Sequence, residues 1–228
     1  MKNIAIIPAR GRSKRILHKN IKEFLGKPII FYSIQAAIKS ELFDEIMVST
    51  DDDEIAKVAI QYGASVPFLR SAKNSDDYAT TEDVLLEVIK KYQQKNFFYD
   101  YCCCLYPTAP LIQHVKLIET YELMKRKNFD AIFPIIRFSY PIQRSLKLKD
   151  GKVEMNWKKY NNTRSQDLPS AFHDAGQFYW LQVGRFIINK KILTDNCGGF
   201  EISEMEAQDI DNETDWKLAE LKYKILVK

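Results

Sequence analysis

An α/β fold, with a mostly parallel sheet covered by helices on both faces, is what this chain predicts. Three observations carry that expectation. Strand-length apolar runs alternate with amphipathic helical patterns; the strands are apolar throughout rather than at every second residue; and glycine, proline and acid-led helix starts punctuate the alternation. A strand needs no polar side when helices cover both faces of its sheet, which is the usual situation of parallel strands. The 228 residues suit a single domain spanning residues 1–228. A chain of that length buries roughly 70% of its unfolded surface, enough for a self-sufficient core.

The elements follow in order. Asn3–Pro8 is a short apolar run ended by proline, and a polar loop extends to about Lys27. Pro28 can open a helix, where its missing N–H costs nothing, and the helical pattern runs to Lys39. Glu45–Ser49 reads as a buried strand, and residues 51–62 as a helix with acids in its first turn and Gly63 behind it. Residues 65–69 read as another short strand. Thr80 or Thr81 can cap a helix whose apolar face is Val84, Leu85, Val88, Ile89 and Tyr92, a spacing near 3.6. Residues 99–106 form an apolar strand stopped by Pro107 and Pro110. Residues 115–127 gather Leu117, Ile118, Tyr121 and Met124 on one helical face, and residues 130–136 are the next strand.

The rhythm then changes. Residues 143–149 and 152–157 alternate apolar and polar around Asp150-Gly151, a hairpin signal. The excursion over residues 139–171 reads as an inserted arm standing off the sheet. Its Leu146, Leu148, Val153, Met155 and Trp157 need a cover, which makes it the expected dimerisation element. The α/β pattern resumes at residues 176–181 and ends in a helix, Glu213–Leu226, with Trp216, Ala219 and Tyr223 on one side.

Composition narrows the function classes. The chain is 46% hydrophobic and 28% charged, with a mild net charge of +4. A basic run between Arg10 and Lys19, set against acids near residues 51–54 and 201–215, suits a site for an anionic ligand and a metal. It suits a nucleic-acid face less well, since that usually needs a broad basic surface. No apolar stretch of about 18 residues exists to span a membrane, and the opening segment is too short and charged for a secretory signal. Cys102, Cys103 and Cys104 are consecutive, so their side chains alternate across a strand and form no framework of bridges with Cys197. Reduced thiols in a cytoplasmic protein are the expectation. His18, His114 and His173 lack zinc-site spacing.

Two motifs can carry chemistry. The first is the loop after the first strand, Ile7-Pro8-Ala9-Arg10-Gly11-Arg12-Ser13-Lys14-Arg15, continuing to Lys19-Asn20. Ligands of open α/β sheets bind beyond the carboxyl ends of the strands, and backbone N–H groups with cationic side chains can surround a polyphosphate there. It is not a Walker loop, and a basic loop by itself is more often a solvated face. The second is Asp209-Ile210-Asp211, followed by Asp215. In an extended segment residues i and i+2 point the same way, so both carboxylates can reach one cation. Magnesium suits such a pair, taking its remaining ligands from phosphate and water. The alternative is an acidic helix start, with Asp211 as the cap.

Taken together the motifs resemble, in order and spacing, the cytidylyltransferases that activate sialic acids and related keto-sugar acids. IPARGRSKRILHKN stands where that family has approximately I-P-A-R-G-G-S-K-R-I-P-x-K-N. LYPTAPL (residues 105–111) matches L-Q-P-T-S-P-L, and QDIDNETDW (residues 208–216) matches D-I-D-x-x-x-D. SYPIQR, RSQDLP and HDAGQFYW look like the pseudaminic acid branch, which acts on a bacterial 5,7-diamino nine-carbon sugar used on flagellin and surface glycans.

The resemblance implies a Rossmann-like nucleotidyltransferase sheet and a homodimer. It implies transfer of CMP from CTP, with magnesium, to an acidic nine-carbon keto sugar, releasing pyrophosphate. Carried over by position, Arg10, Gly11, Ser13, Lys14 and Lys19 serve the triphosphate, with Lys19 and Arg10 also catalytic, and Asn20 helps to place the nucleotide. Arg70 faces the cytosine, and Ala79, Thr80 and Thr81 contact base and ribose. Asp209 and Asp211 hold the metal. Arg164 is the candidate for the sugar carboxylate, a guanidinium fork matching a carboxylate, with a surface or dimer contact as its alternative. Tyr106 and Gln177 complete the substrate residues, and Tyr106, Phe138, Tyr140, Phe172 and Phe178 are aromatic candidates for the sugar's far end, some of them core. Arg12 replaces a family glycine, Leu17 a proline and His18 an arginine. Two other readings stand beside this one: the same transfer to sialic, legionaminic or 3-deoxy-octulosonic acid, and a nucleotide- or RNA-binding protein that keeps only the fold.

Overall fold

A computed structural model of the chain describes residues 1–11 and 16–227. The strands are β1 (Asn3–Pro8), β2 (Glu23–Phe24), β3 (Lys27–Pro28), β4 (Glu45–Ser49), β5 (Tyr101–Leu105), β6 (Ala131–Arg137), β7 (Leu146–Lys149), β8 (Lys152–Met155), β9 (Phe172–Asp174), β10 (Phe178–Gln182) and β11 (Cys197–Glu201). The helices are α1 (Ile30–Ser40), α2 (Asp53–Gln61), α3 (Thr81–Gln94), α4 (His114–Lys127), α5 (Val183–Asn189) and α6 (Glu213–Leu226).

The central sheet runs β11-β6-β10-β5-β1-β4, with β9 also paired to β6. β1 is parallel to β4 and β5, β11 is parallel to β6, and β10 and β9 run against them, so the mostly parallel sheet is as expected. The burial explains the apolar strands. Ala5, Ile7, Cys103, Leu105 and Trp180 pack on one face with α1, α2 and α4, whereas Ile4, Ile6, Cys102, Cys104 and Leu181 pack on the other with α3 and α5. Each cysteine of the run is fully buried and free, and burial pushes the Cys102 thiol up to about 12.

β9 and β10 are two lengths of one return path along β6. They are separated at residues 175–177, where Pro134 offers no N–H for a ladder bond and only its carbonyl is used, by the N–H of Ala175 at 3.0 Å. Gly176, at φ +64, makes the bend. A chain that returns beside the strand it left runs antiparallel, which is why β10 reverses direction inside the sheet.

The hairpin forms as read. β7 and β8 pair in a small sheet of their own, with Leu148 opposite Val153 and Lys147 opposite Glu154, and Asp150 and Gly151 both take positive φ at the turn. Leu146, Leu148, Val153 and Trp157 are exposed, and Met155 is half-buried. Local differences have local causes. Pro28 lies in β3 and α1 begins at Ile30. Of residues 65–69 only Ser65 bridges, to Met47, because Pro67 cannot donate to a ladder. β11 was not foreseen; Gly198 and Gly199 supply no side chains to make a strand pattern there. A Cβ on Gly198 would lie 2.4 Å from the Phe129 ring, so the glycine is what lets that ring close over the strand. No helix among the described residues is long and apolar enough to cross a membrane.

Candidate active site

Beyond the carboxyl ends of β1 and β5 lies a cleft of about 630 Å³. Arg10, Lys19, Asn20, Arg70, Ala79, Thr80, Thr81 and Tyr106, eight of the residues singled out from sequence, line it. They come from four separate stretches of chain. β1 delivers Pro8 and Arg10 to the rim. Lys19 and Asn20 sit on a single 3-10 turn, and the buried Asn20 amide donates to the Arg10 carbonyl at 2.8 Å, tying that turn to the first loop. Gly11 lies half-buried beside the cleft, its N–H donating to Asp51 at 2.9 Å. Ser13 and Lys14, with Arg12, fall outside the described residues.

The α3 side is held by a capping box. The Thr80 hydroxyl accepts the Asp83 N–H at 3.2 Å and the Asp83 carboxylate accepts the Thr80 N–H at 3.1 Å. The Thr80 hydroxyl also donates to that carboxylate at 2.9 Å, and the bonds it accepts, from the backbone first and then the hydroxyl, hold the Asp83 carboxyl below its usual range. Arg70 is the most enclosed charge of the site, 9% exposed. Its Nε donates to the Ser49 hydroxyl at 3.1 Å and its Nη2 to the Ser49 carbonyl. Burial pulls its pKa down, against the opposing pull of Asp51 and Glu87. A buried guanidinium with so few fixed acceptors can serve a polar ligand group in the cleft.

Sequence reasoning missed the cleft's acidic side. Arg10 donates to the Asp76 carbonyl and the Asp77 carboxylate, both at 3.1 Å, and Asn74, Asp76 and Asp77 join the lining. The signal was the polar run Asn74-Ser75-Asp76-Asp77 directly ahead of the helix cap.

Asp209, Ile210 and Asp211 lie in an extended segment ahead of α6. Ile210 is completely buried against Phe24 and Trp216, whereas Asp209 is exposed and Asp211 half-buried. The Lys19 ammonium, a cleft residue, donates to the Ile210 carbonyl, so the two carboxylates flank the very peptide that Lys19 grips. Hard oxygen donors on the solvent side of one segment, next to a cationic cleft, fit a magnesium ion that draws further ligands from phosphate and water. Among the described residues no cluster of three or more His, Cys, Asp or Glu offers a self-sufficient metal cage. The alternative cap is not what forms: Asn212 caps α6, and Asp215 closes the capping box while accepting the Asp211 N–H at 2.9 Å.

Two other sequence candidates are not brought to the cleft. Gln177 is 4% exposed, and its amide donates to the Glu206 carbonyl at 2.6 Å while its own carbonyl accepts the Tyr106 N–H at 2.8 Å. Arg164 is exposed on the arm, ahead of the turn Ser165–Asp167. Phe178 is core, whereas Phe138, Tyr140 and Phe172 stay exposed near the root of the arm. Thr81 and Tyr106 also line an adjoining hollow of about 300 Å³ with Asp174, Tyr179 and Lys191. A third hollow, about 260 Å³ and lined by Phe31, Tyr32 and Tyr223 among others, contains none of the site candidates.

The class follows from the family comparison: the cytidylyltransferase family model matches residues 4–194, and the chain belongs to that family of nucleotidyltransferases. It is 43% identical over 226 residues to the pseudaminic acid cytidylyltransferase of Campylobacter jejuni, covering 99% of this chain and 97% of that one. It is 32% identical over 237 residues to the CMP-N,N'-diacetyllegionaminic acid synthase of Legionella pneumophila, covering 96% and 95%. Among solved structures, a CMP:2-keto-3-deoxy-manno-octonic acid synthetase complexed with CTP shares the fold at a TM-score of 0.70, with 15% identity and 99% of both chains covered.

Proposed function

We propose that this enzyme transfers CMP from CTP to the anomeric hydroxyl of pseudaminic acid, giving CMP-pseudaminic acid and pyrophosphate. The observation that carries the reading is the convergence of Arg10, Lys19, Asn20, Arg70, Ala79, Thr80 and Thr81 on one cleft, with Lys19 bonded to the peptide between Asp209 and Asp211. The 43% identity to a pseudaminic acid enzyme over nearly the whole chain supports the choice of sugar.

The sugar hydroxyl, giving up its proton to solvent, attacks the α-phosphorus of CTP in line as the bond to the pyrophosphate oxygen breaks. Lys19 and Arg10 hold the departing β- and γ-phosphates and offset the charge that develops on them. Arg70 meets the cytosine, and residues 79–81 hold base and ribose. Arg10 gives its Nη1 to Asp76 and Asp77, and its guanidinium carries further N–H donors to offer phosphate. Magnesium on Asp209 and Asp211, when bound, supplies Lewis-acid stabilisation at the α-phosphate and lowers the pKa of the attacking hydroxyl.

Tyr106 faces the sugar from between the cleft and the adjoining hollow, with Gln177 fixing its backbone. Arg164 would meet the sugar carboxylate only in a homodimer whose arm crosses to the second cleft. The consecutive buried thiols Cys102, Cys103 and Cys104 suit the reducing cytoplasm, which is where this enzyme would act.

The test is pyrophosphate release with CTP, magnesium and a panel of sugar acids. Pseudaminic acid should exceed sialic acid in kcat/KM by at least about a hundredfold, because a site shaped for a methyl and an acylamino group leaves the hydroxyls of sialic acid without partners. Comparable turnover of sialic acid would overturn the sugar and leave the cytidylyl transfer standing. No pyrophosphate with any acid would return the binding-protein reading.

A further inference from the structure

Arg70 sits on an irregular stretch between α2 and α3, and something other than a secondary-structure ladder has to hold it. Its own N–H donates to the Thr50 carbonyl at 2.7 Å. The neighbouring residues are held by a pair of side chains on α3. Lys91 donates to the carbonyl of Leu69, the residue before Arg70, at 2.9 Å. Glu87 accepts from the residue after it, Ser71, twice: from the N–H at 2.9 Å and from the hydroxyl at 2.7 Å. The Asn74 amide reaches the same carboxylate. Glu87 and Lys91 are one helical turn apart and paired at 2.6 Å, and the Glu87 side chain is only 12% exposed.

We infer that the Glu87–Lys91 pair is a clamp that sets the position of Arg70, making both of them positioning residues for nucleotide recognition. This rests on the reading of Arg70 as the cytosine contact. Neither residue lines the cleft, so neither touches substrate. Their leverage is geometric: each grips one neighbour of Arg70, and together they fix the direction from which its guanidinium enters. A helix surface that only needed an i,i+4 ion pair would not aim both charges at the two peptides flanking one buried arginine. The Lys91 ammonium also lies 4.7 Å above the Phe68 ring, which anchors the start of the same stretch.

The experiment is a double-mutant cycle on the full-length enzyme. Glu87→Gln keeps shape and removes charge, Lys91→Gln approaches the clamp from its other end, and Arg70→Lys reports the contact itself. With CTP varied, Glu87→Gln should raise KM about tenfold, with kcat within about threefold, and should reduce selectivity for CTP over UTP, because small displacements of a binding group have large effects. In the Arg70→Lys background, Glu87→Gln should add less than about twofold, since it acts through the same contact. If the two KM effects multiply, or if Arg70→Lys raises KM while both Glu87→Gln and Lys91→Gln leave it and the CTP/UTP ratio unchanged, the clamp is overturned and the Arg70 contact stands. An unchanged KM in Arg70→Lys overturns the cytosine contact and the clamp with it.

Discussion

Gly11→Ala adds one carbon where the fold leaves no room for it. A Cβ there would lie 2.4 Å from Asp52 Oδ2 and 2.8 Å from Asp52 Cβ. Rotating the Asp52 carboxylate removes the first clash but not the second, so a backbone has to move. Asp52 is the N-cap of α2, accepting from Glu54 N–H at 2.8 Å and Ile55 N–H at 3.1 Å. If the α2 end yields, losing that cap costs about 1 kcal/mol. For a chain of this size, that lowers Tm by about 2–4 °C. If the first loop yields instead, the Arg10 carbonyl leaves the Asn20 amide and the Arg10 guanidinium is misdirected, and KM for CTP should rise by roughly tenfold or more. Calorimetry and CTP-varied pyrophosphate release read the two effects separately. The second-site change Asp52→Gly removes both clashing atoms, and glycine at an N-cap costs only a few tenths of a kcal/mol. The double variant should therefore recover most of the lost CTP affinity. A Gly11→Ala enzyme with unaltered Tm and KM, or a double variant worse than either single one, would refute this steric account.

Three further outcomes are expected. Asp209→Asn and Asp211→Asn should each cut turnover at least about a hundredfold. Asp215→Asn, which disturbs the capping box of α6, should instead lower Tm by a few degrees with turnover within about tenfold; near-normal rates in the first two would sink the metal assignment. Light scattering at micromolar concentration should give about 53 kDa, twice the 26.6 kDa chain, with the apolar face of the β7–β8 hairpin buried between subunits; a persistent monomer would rule this out. In acid, burial by itself would raise the Glu87 carboxyl, but bonds from Lys91, Ser71 and Asn74 prevail and hold it at about 2, below its ordinary 4.5. Its stabilising share is therefore complete above about pH 4.5 and is lost as pH falls toward 2, so Glu87→Gln should flatten the decline of Tm with pH across that window.

The chain's own order of residues determined the elements whose causes are local. Val84, Leu85, Val88, Ile89 and Tyr92 share one face because a helix turns every 3.6 residues, and they are the buried face of α3. Asp150-Gly151 makes its turn because both positions accept positive φ. Much of the cleft was legible for a related reason: Arg10, Lys19 and Asn20 are close in sequence, so a single loop carries them. Tertiary structure alone decided what depends on residues far apart. It set the strand order, and it reversed β10 between β5 and β6 through a return path that no local pattern encodes. It also gave β11 its place, since a strand carrying Gly198 and Gly199 forms only where Phe129 and Ile135 come close enough to require them. Gln177 turned inward to Glu206, and Arg70 came to rest on Ser49 between the two ends of a clamp on α3. Propensity and periodicity act over one or two turns of chain, whereas these contacts join residues 16 to 29 positions apart and exist only once the sheet has brought them together.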